Sequence, residues 1–353
     1  MDLADFKREF DILLRSSIDT NVRAAKADAH DPFIGSIIEH ACSLLLAGGK
    51  RVRPYVAELA YRTAGGKKTK EARRLFLAFE FFHLFCLVHD DVIDRGRERH
   101  GIPTTHLFLK RELARKRRAG DHAHIADGQA VLLGDLLFLW AQNAFDDGIA
   151  NAFPRDKNAR RLFSEMIREV IVGQMIDVDL MTRERTTTNL LRRKIELKTA
   201  RYTFVRPMQI GATIAGSNKR LLSFSEKLGT ALGMAFQIQD DLLDIVSHQT
   251  TLKKTILSDV QDRQHTFFTQ HLFEKGTRAE QSKFRRYFGK DIPRREYSHV
   301  IKLFLSSGAI EAGTREMNRL FDQSERLIKE SSMSSVYKRE WRDLVTLIRA
   351  RTS

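Results

Sequence analysis

Residues 81–94 read Phe-Phe-His-Leu-Phe-Cys-Leu-Val-His-Asp-Asp-Val-Ile-Asp, and residues 236–244 read Phe-Gln-Ile-Gln-Asp-Asp-Leu-Leu-Asp. Each stretch ends in the spacing DDxxD after an apolar approach. On a helix, the first and last aspartates of such a trio stand about 40° apart, one turn along the same face. Asp90, Asp91 and Asp94 therefore form one carboxylate patch, and Asp240, Asp241 and Asp244 a second. Residues 81–89 are apolar nearly all round, which marks their helix as central and buried. Both patches fall at the C-terminal ends of apolar helices, where the helix dipole disfavours negative charge, so something cationic must compensate.

Outward from these stretches, apolar residues keep recurring at helical spacing, as in Phe6, Phe10, Leu13 and Leu14, or Ile34, Ile37, Ile38, Ala41 and Leu44. Gly48-Gly49 ends one helix and Gly65-Gly66 the next. A long helix is predicted over Thr69–Ile93, an irregular exit over Gly96–Pro103, and a charged helix to about Arg118. A loop is predicted over Gly120–Gly128, followed by helices over Gln129–Phe145, 157–182, 187–205, 207–216 and 219–247. The more polar helices beyond Ser247 are expected to pack around the outside. Six prolines and twenty glycines in 353 residues suit few tight turns, which makes the chain all-α. No linker divides it, so residues 1–353 are read as one domain.

Sixty basic against forty-five acidic side chains give a formal charge of +15. The runs Lys110–Arg118 and Arg192–Lys194 read as solvated helix faces. A basic surface also attracts anionic substrates or lipid headgroups. No nucleic-acid-binding signature accompanies it, so nucleic acid is not an expected partner. Cys42 and Cys86 have neither disulfide-framework nor zinc spacing. Neither a signal peptide nor a run of about 18 apolar residues is present, so the expected location is the cytoplasm.

Clusters of carboxylate oxygens suit Mg²⁺, which keeps several waters and bridges a few carboxylates to phosphates. A diphosphate is then the natural third party. Basic groups for it are available in Gly48-Gly49-Lys50-Arg51-Val52-Arg53-Pro54, where Lys50 and Arg53 project from a helix start. Taken alone, this element is as well read as a capped helix start. The Lys198-Thr199 pair gains meaning only beside the aspartates.

In this order, GGKRVRP, LVHDDVID with RHGIPTTH, LLGDLLFLWA, GQMIDVDL, KTARYTFVRPMQIGATIAG and FQIQDDLLDIV resemble the trans-isoprenyl diphosphate synthases of the polyprenyl synthetase family. The likeness covers roughly residues 40 to 270, with 271–353 more divergent. It implies a helical bundle around a central cavity, commonly a homodimer. It also implies that isopentenyl diphosphate is condensed with an allylic diphosphate (dimethylallyl, geranyl or farnesyl). The six aspartates match metal-binding positions, with three Mg²⁺ ions expected once substrate is bound, bridging the two patches to the diphosphate. Lys198, Thr199 and Gln237 match residues around the allylic diphosphate, and Lys254 a diphosphate-binding lysine. Lys50, Arg53 and His83 match the isopentenyl diphosphate pocket, although a core histidine is as good a reading of His83.

Two positions depart from the family pattern. Arg99-His100-Gly101 stands where the family has Arg-Arg-Gly, replacing a bidentate guanidinium with an imidazole that titrates. Gln264 stands in place of a lysine, with Arg263 or His265 as candidate substitutes. These departures leave a weakly active or regulatory subunit as the alternative to an active synthase. By resemblance, Phe85, Phe82 and Cys86 line the floor that limits chain growth, which suggests a C15 to C20 product, foremost geranylgeranyl diphosphate. A greasy anionic product also makes transient contact with a membrane surface plausible.

Overall fold

The computed structural model describes residues 2–154, 156–217, 219–246 and 256–351. Sixteen α-helices account for nearly all the regular structure among them, in agreement with the all-α reading. The only strands among the described residues are two-residue segments, Glu98–Arg99 and Ile102–Pro103, which pair antiparallel. Contacts group the chain into two compact units, residues 1–58 with 66–160 and residues 59–65 with 161–353.

The first unit is built around α4 (Thr69–Ile93), whose bounds match those expected. Phe76, Phe79, Phe81, Phe82 and Leu84 are fully buried. The helix lies against α6 (His122–Ala152) and is flanked by α1 (Leu3–Ala29), α2 (Pro32–Ala47) and α5 (Thr105–Arg115). Phe81 meets Trp140 of α6 edge-on at 5.9 Å. Of the expected loop over Gly120–Gly128 only Gly120 and Asp121 lie outside a helix, and the rest is the opening of α6. Asp121 caps that helix, its carboxylate accepting from the amides of Ala123 at 3.0 Å and His124 at 3.2 Å. The charged helix also stops early, at Arg115, and Arg117 adopts a left-handed turn beyond it.

The second unit is organised by α10 (Lys219–Val246) and the run that packs on it. Separate helices over 187–205 and 207–216 were expected. They are one continuous run comprising α8 (Thr188–Ile195), a π-helical segment Glu196–Val205 and α9 (Arg206–Ile214). Pro207 supplies no amide for the ordinary i to i−4 ladder, which accords with wide turns immediately before it. Two glycines let this wide segment fit. A Cβ at Gly173 of α7 (Lys157–Thr182) would stand 2.6 Å from the Lys198 amide nitrogen, and one at Gly233 of α10 would collide with Ala200. The expected helix end at Ser247 lies outside the described residues, and α15 (Ala309–Glu330) and α16 (Ser335–Arg349) also pack on α10. Trp341 anchors α16, fully buried, its Nε1 donating to Thr63 Oγ1 at 3.1 Å.

No single helix among the described residues is both long and apolar enough to cross a membrane. The charged run Lys110–Arg118 lies largely on the surface, whereas Lys194 does not; it is buried, against expectation. Gly233→Ala is expected to cost about 1–3 kcal/mol of stability by overpacking against the π-helical segment, and chemical denaturation of the purified variant measures it.

Candidate active site

The first aspartate trio sits at the end of α4, as its spacing requires. Asp94 caps the helix, its amide donating to the Asp90 carbonyl at 2.7 Å, and Gly96 donates to the Asp91 carbonyl at 2.9 Å. The chain then folds back through the small hairpin. Arg99 returns to the trio, where its Nε lies 2.9 Å from both carboxylate oxygens of Asp91. Asp91 is only 4% exposed. Burial raises its pKa, against the opposing pull of Arg99. The hairpin is pinned by Thr104 Oγ1, which donates to the Gly96 carbonyl at 2.8 Å, and by His40 against the Pro103 carbonyl at 2.9 Å. This is the cationic compensation that the helix end demanded.

The basic loop before α3 (Val52–Thr63) divides its labour. Arg51, only 3% exposed, donates to Asp11 at 2.7 Å, Glu80 at 2.8 Å and the Leu45 carbonyl at 2.8 Å. It is a structural tie. Lys50 is exposed and Arg53 half-buried. His83 shares this environment. Burial, followed by Arg53, Arg99 and Arg51, pushes its pKa well below the usual imidazole value, so it is neutral near pH 7. His100 forms the exposed hairpin turn at φ 52°, and its ring covers Gly48 so closely that a Cβ there would collide with it.

Positions 82, 86, 90 and 94 succeed one another at four-residue intervals and share one face of α4. Phe82 and Phe85 stand 5.3 Å apart, and Phe138 of α6 lies 5.3 Å from Phe85 and 6.2 Å from Phe82. Sequence reasoning had assigned no role to Phe138, although it is the first aromatic residue of its helix.

In the second unit, Thr199 Oγ1 donates to Gln237 Oε1 at 2.6 Å, and Gln237 Nε2 donates to Asp241 Oδ1 at 2.7 Å. Asp244 is held from the other side. Its Oδ1 accepts from Ser258 Oγ at 2.6 Å and from the Ser258 amide at 3.1 Å, and its Oδ2 from the Asp259 amide at 3.0 Å. Asp240 accepts from Arg351. Burial raises Asp241 to about 7, helped by Asp240 and Asp244 and opposed by Gln237 and Lys194. Asp259 is likewise pushed well above the carboxylate range, first by burial and then by its acidic neighbours.

Lys198 projects from the π-helical segment to Asp177 Oδ2 at 2.7 Å, and Lys194 reaches Asp177 Oδ1 at 2.7 Å and the His265 carbonyl at 2.9 Å. Burial would raise Asp177, but the two ammonium groups outweigh it and hold the carboxylate at about 2. Neither Asp177 nor Lys194 was picked out from the sequence. The signal present was Asp177 within GQMIDVDL, but nothing paired it with residues some 20 positions onward. The suggested substitutes for Gln264 lie otherwise engaged: His265 is fully buried with Nε2 on the Arg183 carbonyl, and Arg263 lies over Phe288. Lys254 lies outside the described residues.

Both trios offer the hard oxygen donors that Mg²⁺ prefers. Among the described residues no group of three or more His, Cys, Asp or Glu side chains stands placed to hold a metal ion by itself.

A model of the polyprenyl synthetase family matches residues 35–303. The geranylgeranyl diphosphate synthase of Methanosarcina mazei is 30% identical over 239 residues, 67% of each chain. The short chain isoprenyl diphosphate synthase of Methanothermobacter thermautotrophicus is 26% identical over 312 residues, 88% of this chain and 87% of that one. A crystal structure of geranylgeranyl pyrophosphate synthase from Corynebacterium glutamicum, complexed with isoprenyl diphosphate and magnesium, matches 97% of this chain and 99% of that one with a TM-score of 0.89 at 25% identity. The chain belongs to the polyprenyl synthetase family and is a prenyltransferase of its short-chain class.

The raised Asp241 has a consequence for stability. Between its ordinary value of 3.8 and about 7 the unfolded chain releases a proton that the folded chain keeps. The metal-free protein therefore loses stability as pH rises across that interval, with no further change from this group above it. Asp241→Asn is expected to remove that loss, melting above the parent at pH 8 without metal and gaining less from added Mg²⁺. Melting curves from pH 4 to 9 with and without Mg²⁺ check this, and an unchanged pH slope assigns it to other groups.

Proposed function

We propose that the protein condenses isopentenyl diphosphate with an allylic diphosphate (dimethylallyl, geranyl or farnesyl) into a C15 to C20 trans-prenyl diphosphate, foremost geranylgeranyl diphosphate. The observation that carries this reading is the relay from Thr199 through Gln237 to Asp241 beside the Lys198–Asp177–Lys194 bridge, which places fixed anionic and cationic groups around the second aspartate trio. In this reading the chain works as one catalytic domain over residues 1–353.

Asp90, Asp91, Asp94, Asp240, Asp241 and Asp244 are the groups we assign to Mg²⁺, with three ions bound when substrate is present. When bound, Mg²⁺ neutralises the diphosphate and stabilises it as a leaving group. Lys198, steered by Asp177, and Lys254 bind diphosphate oxygens. Thr199 and Gln237 offer oxygen dipoles to the positive charge that develops on the allylic carbon. Lys50, Arg53 and Arg99 bind isopentenyl diphosphate. Neutral His83 contributes a hydrogen bond, not charge, and His100 closes the loop over Gly48. The double bond of isopentenyl diphosphate attacks the allylic cation, and the proton then leaves with the departed diphosphate as its base.

Exposed Leu132 and Leu139 on α6 support a homodimer. The basic run Lys110–Arg118 supports transient contact with an anionic membrane surface. The unbridged Cys42 and Cys86 support a cytoplasmic location.

The test is incubation of the purified protein with Mg²⁺, labelled isopentenyl diphosphate and each allylic primer, followed by chromatography of the products. A C15 or C20 product is expected, whereas absence of any extension sinks the reading. Asp90→Asn is expected to lower turnover by about 10²-fold or more, through weaker stabilisation of the departing diphosphate. Phe85→Ala opens the aromatic cluster it forms with Phe82 and Phe138 and is expected to shift the product to longer chains. An unshifted product distribution removes Phe85 from length control.

A further inference from the structure

The C-terminal helix ends on the second aspartate trio. Buried Trp341, Leu344, Val345 and Ile348 fix α16, and Gln239 Nε2 grips the end of that helix and the residues beyond it by donating to the carbonyls of Arg349 at 2.9 Å and Arg351 at 3.2 Å. Arg351 Nη2 then donates to Asp240 Oδ1 at 3.1 Å, with its guanidinium 4.2 Å from the centre of the Phe236 ring. The Arg351 side chain is 12% exposed, and that of Asp240 45% exposed. Arg351 Nη1 is buried with no hydrogen-bond partner among the described residues. A single hydrogen bond to a half-exposed carboxylate, on an otherwise sheltered and under-bonded guanidinium, is an arrangement with an alternative state.

We propose that Arg351 is a positioning residue, a latch that holds Asp240 in the metal-free chain and that a divalent cation must displace to use this carboxylate. The inference rests on the assignment of Asp240 to metal. A guanidinium and a metal ion cannot share Oδ1 without strong repulsion between like charges. The latch therefore opposes the first ion and keeps the trio compensated until ion and diphosphate arrive together. By linkage, whatever weakens the latch strengthens metal binding in the same proportion. Arg349 provides an internal control. It carries the same charge two positions earlier, as the last residue of α16, but pairs with Asp322 at 3.1 Å and Asn318 at 3.0 Å, over Phe321.

Arg351→Met keeps an apolar stem against Phe236 and deletes the charge, and Arg349→Met deletes a charge without touching Asp240. With full-length protein and no substrate, Mn²⁺ binding is titrated by electron paramagnetic resonance as a stand-in for Mg²⁺. Arg351→Met is expected to tighten Mn²⁺ about fivefold or more, with little change for Arg349→Met. The same variant is expected to lower the Mg²⁺ concentration for half-maximal turnover. Equal tightening by both variants, or none by Arg351→Met, overturns the latch. If Arg351→Met fails to fold, the unmodified chain decides: the Arg351 guanidinium signals in ¹⁵N spectra must shift or broaden on Mg²⁺ saturation, and unmoved signals overturn it. If the unmodified enzyme makes no prenyl product, the functional reading has failed; if it does and the metal titrations do not separate the variants, only the latch has.

Discussion

Negative charge placed where helix geometry resists it governs most of the surroundings of these two clusters. An aspartate near a helix C-terminus opposes the dipole, and burial of the kind seen at Asp91 and Asp241 adds desolvation. Neither effect is tolerable without local answers, and the chain provides several. At the first trio a two-strand hairpin carries Arg99 back to Asp91. At the second, Gln237 one turn earlier meets Asp241, the amides of Ser258 and Asp259 meet Asp244, and Arg351 meets Asp240. The answers differ in strength, and the difference has chemical meaning. The Gln237 hydrogen bond fixes Asp241 without offsetting the burial that raises it to about 7, so an ion binding this carboxylate near neutral pH must displace a proton.

The cations show a matching division between structure and chemistry. Arg51, with every nitrogen engaged and almost no exposure, ties α1 and α4 to the loop before α3. Its neighbours Lys50 and Arg53 remain nearer solvent. Asp177 performs a similar sorting in the second unit, because one buried carboxylate bridges two lysines and fixes where both ammonium groups stand. A lysine on a flexible stem is a poor positioning device by itself; one clamped to a carboxylate has far less freedom to lose when an anion binds. The overall charge of +15 is irrelevant to this arrangement, which depends on a few buried pairs.

The boundary between legible and hidden features in the sequence is set by the range of the interactions. The trios were legible because four-residue spacing is a property of one helix, and α4 was delimited correctly because its apolar run and flanking glycines are local. The first turns of α6 were missed because two glycines and several polar residues outweighed a single capping aspartate, Asp121. The π-helical segment has no composition of its own. It depends on Gly173 and Gly233 yielding room from two other helices, together with a proline downstream. Lys194 was misread as solvent-facing for a related reason: its partners, Asp177 and the His265 carbonyl, lie 17 and 71 positions away. Arg351 and Asp240 are separated by 111 positions, beyond any reading of periodicity.

One helix therefore carries two demands that pull in opposite directions. Residues 82, 86, 90 and 94 put apolar bulk and carboxylates in succession on the same face of α4, so the distance from aromatic cluster to acidic end is set by helical rise and hardly by loops. In the proposed reading, a limit on chain length built this way is rigid because α4 is locked by residues buried along most of its length, among them Leu77, Phe81, Leu84 and Val88. It is also easy to alter. Phe85 is only half-buried and its ring meets Phe82, Phe138 and His89, so its removal opens space beside the helix without taking away the contacts that hold the helix in place. Phe82, fully buried, has no such separation between shaping the cluster and supporting the core, and substitution there must change both together.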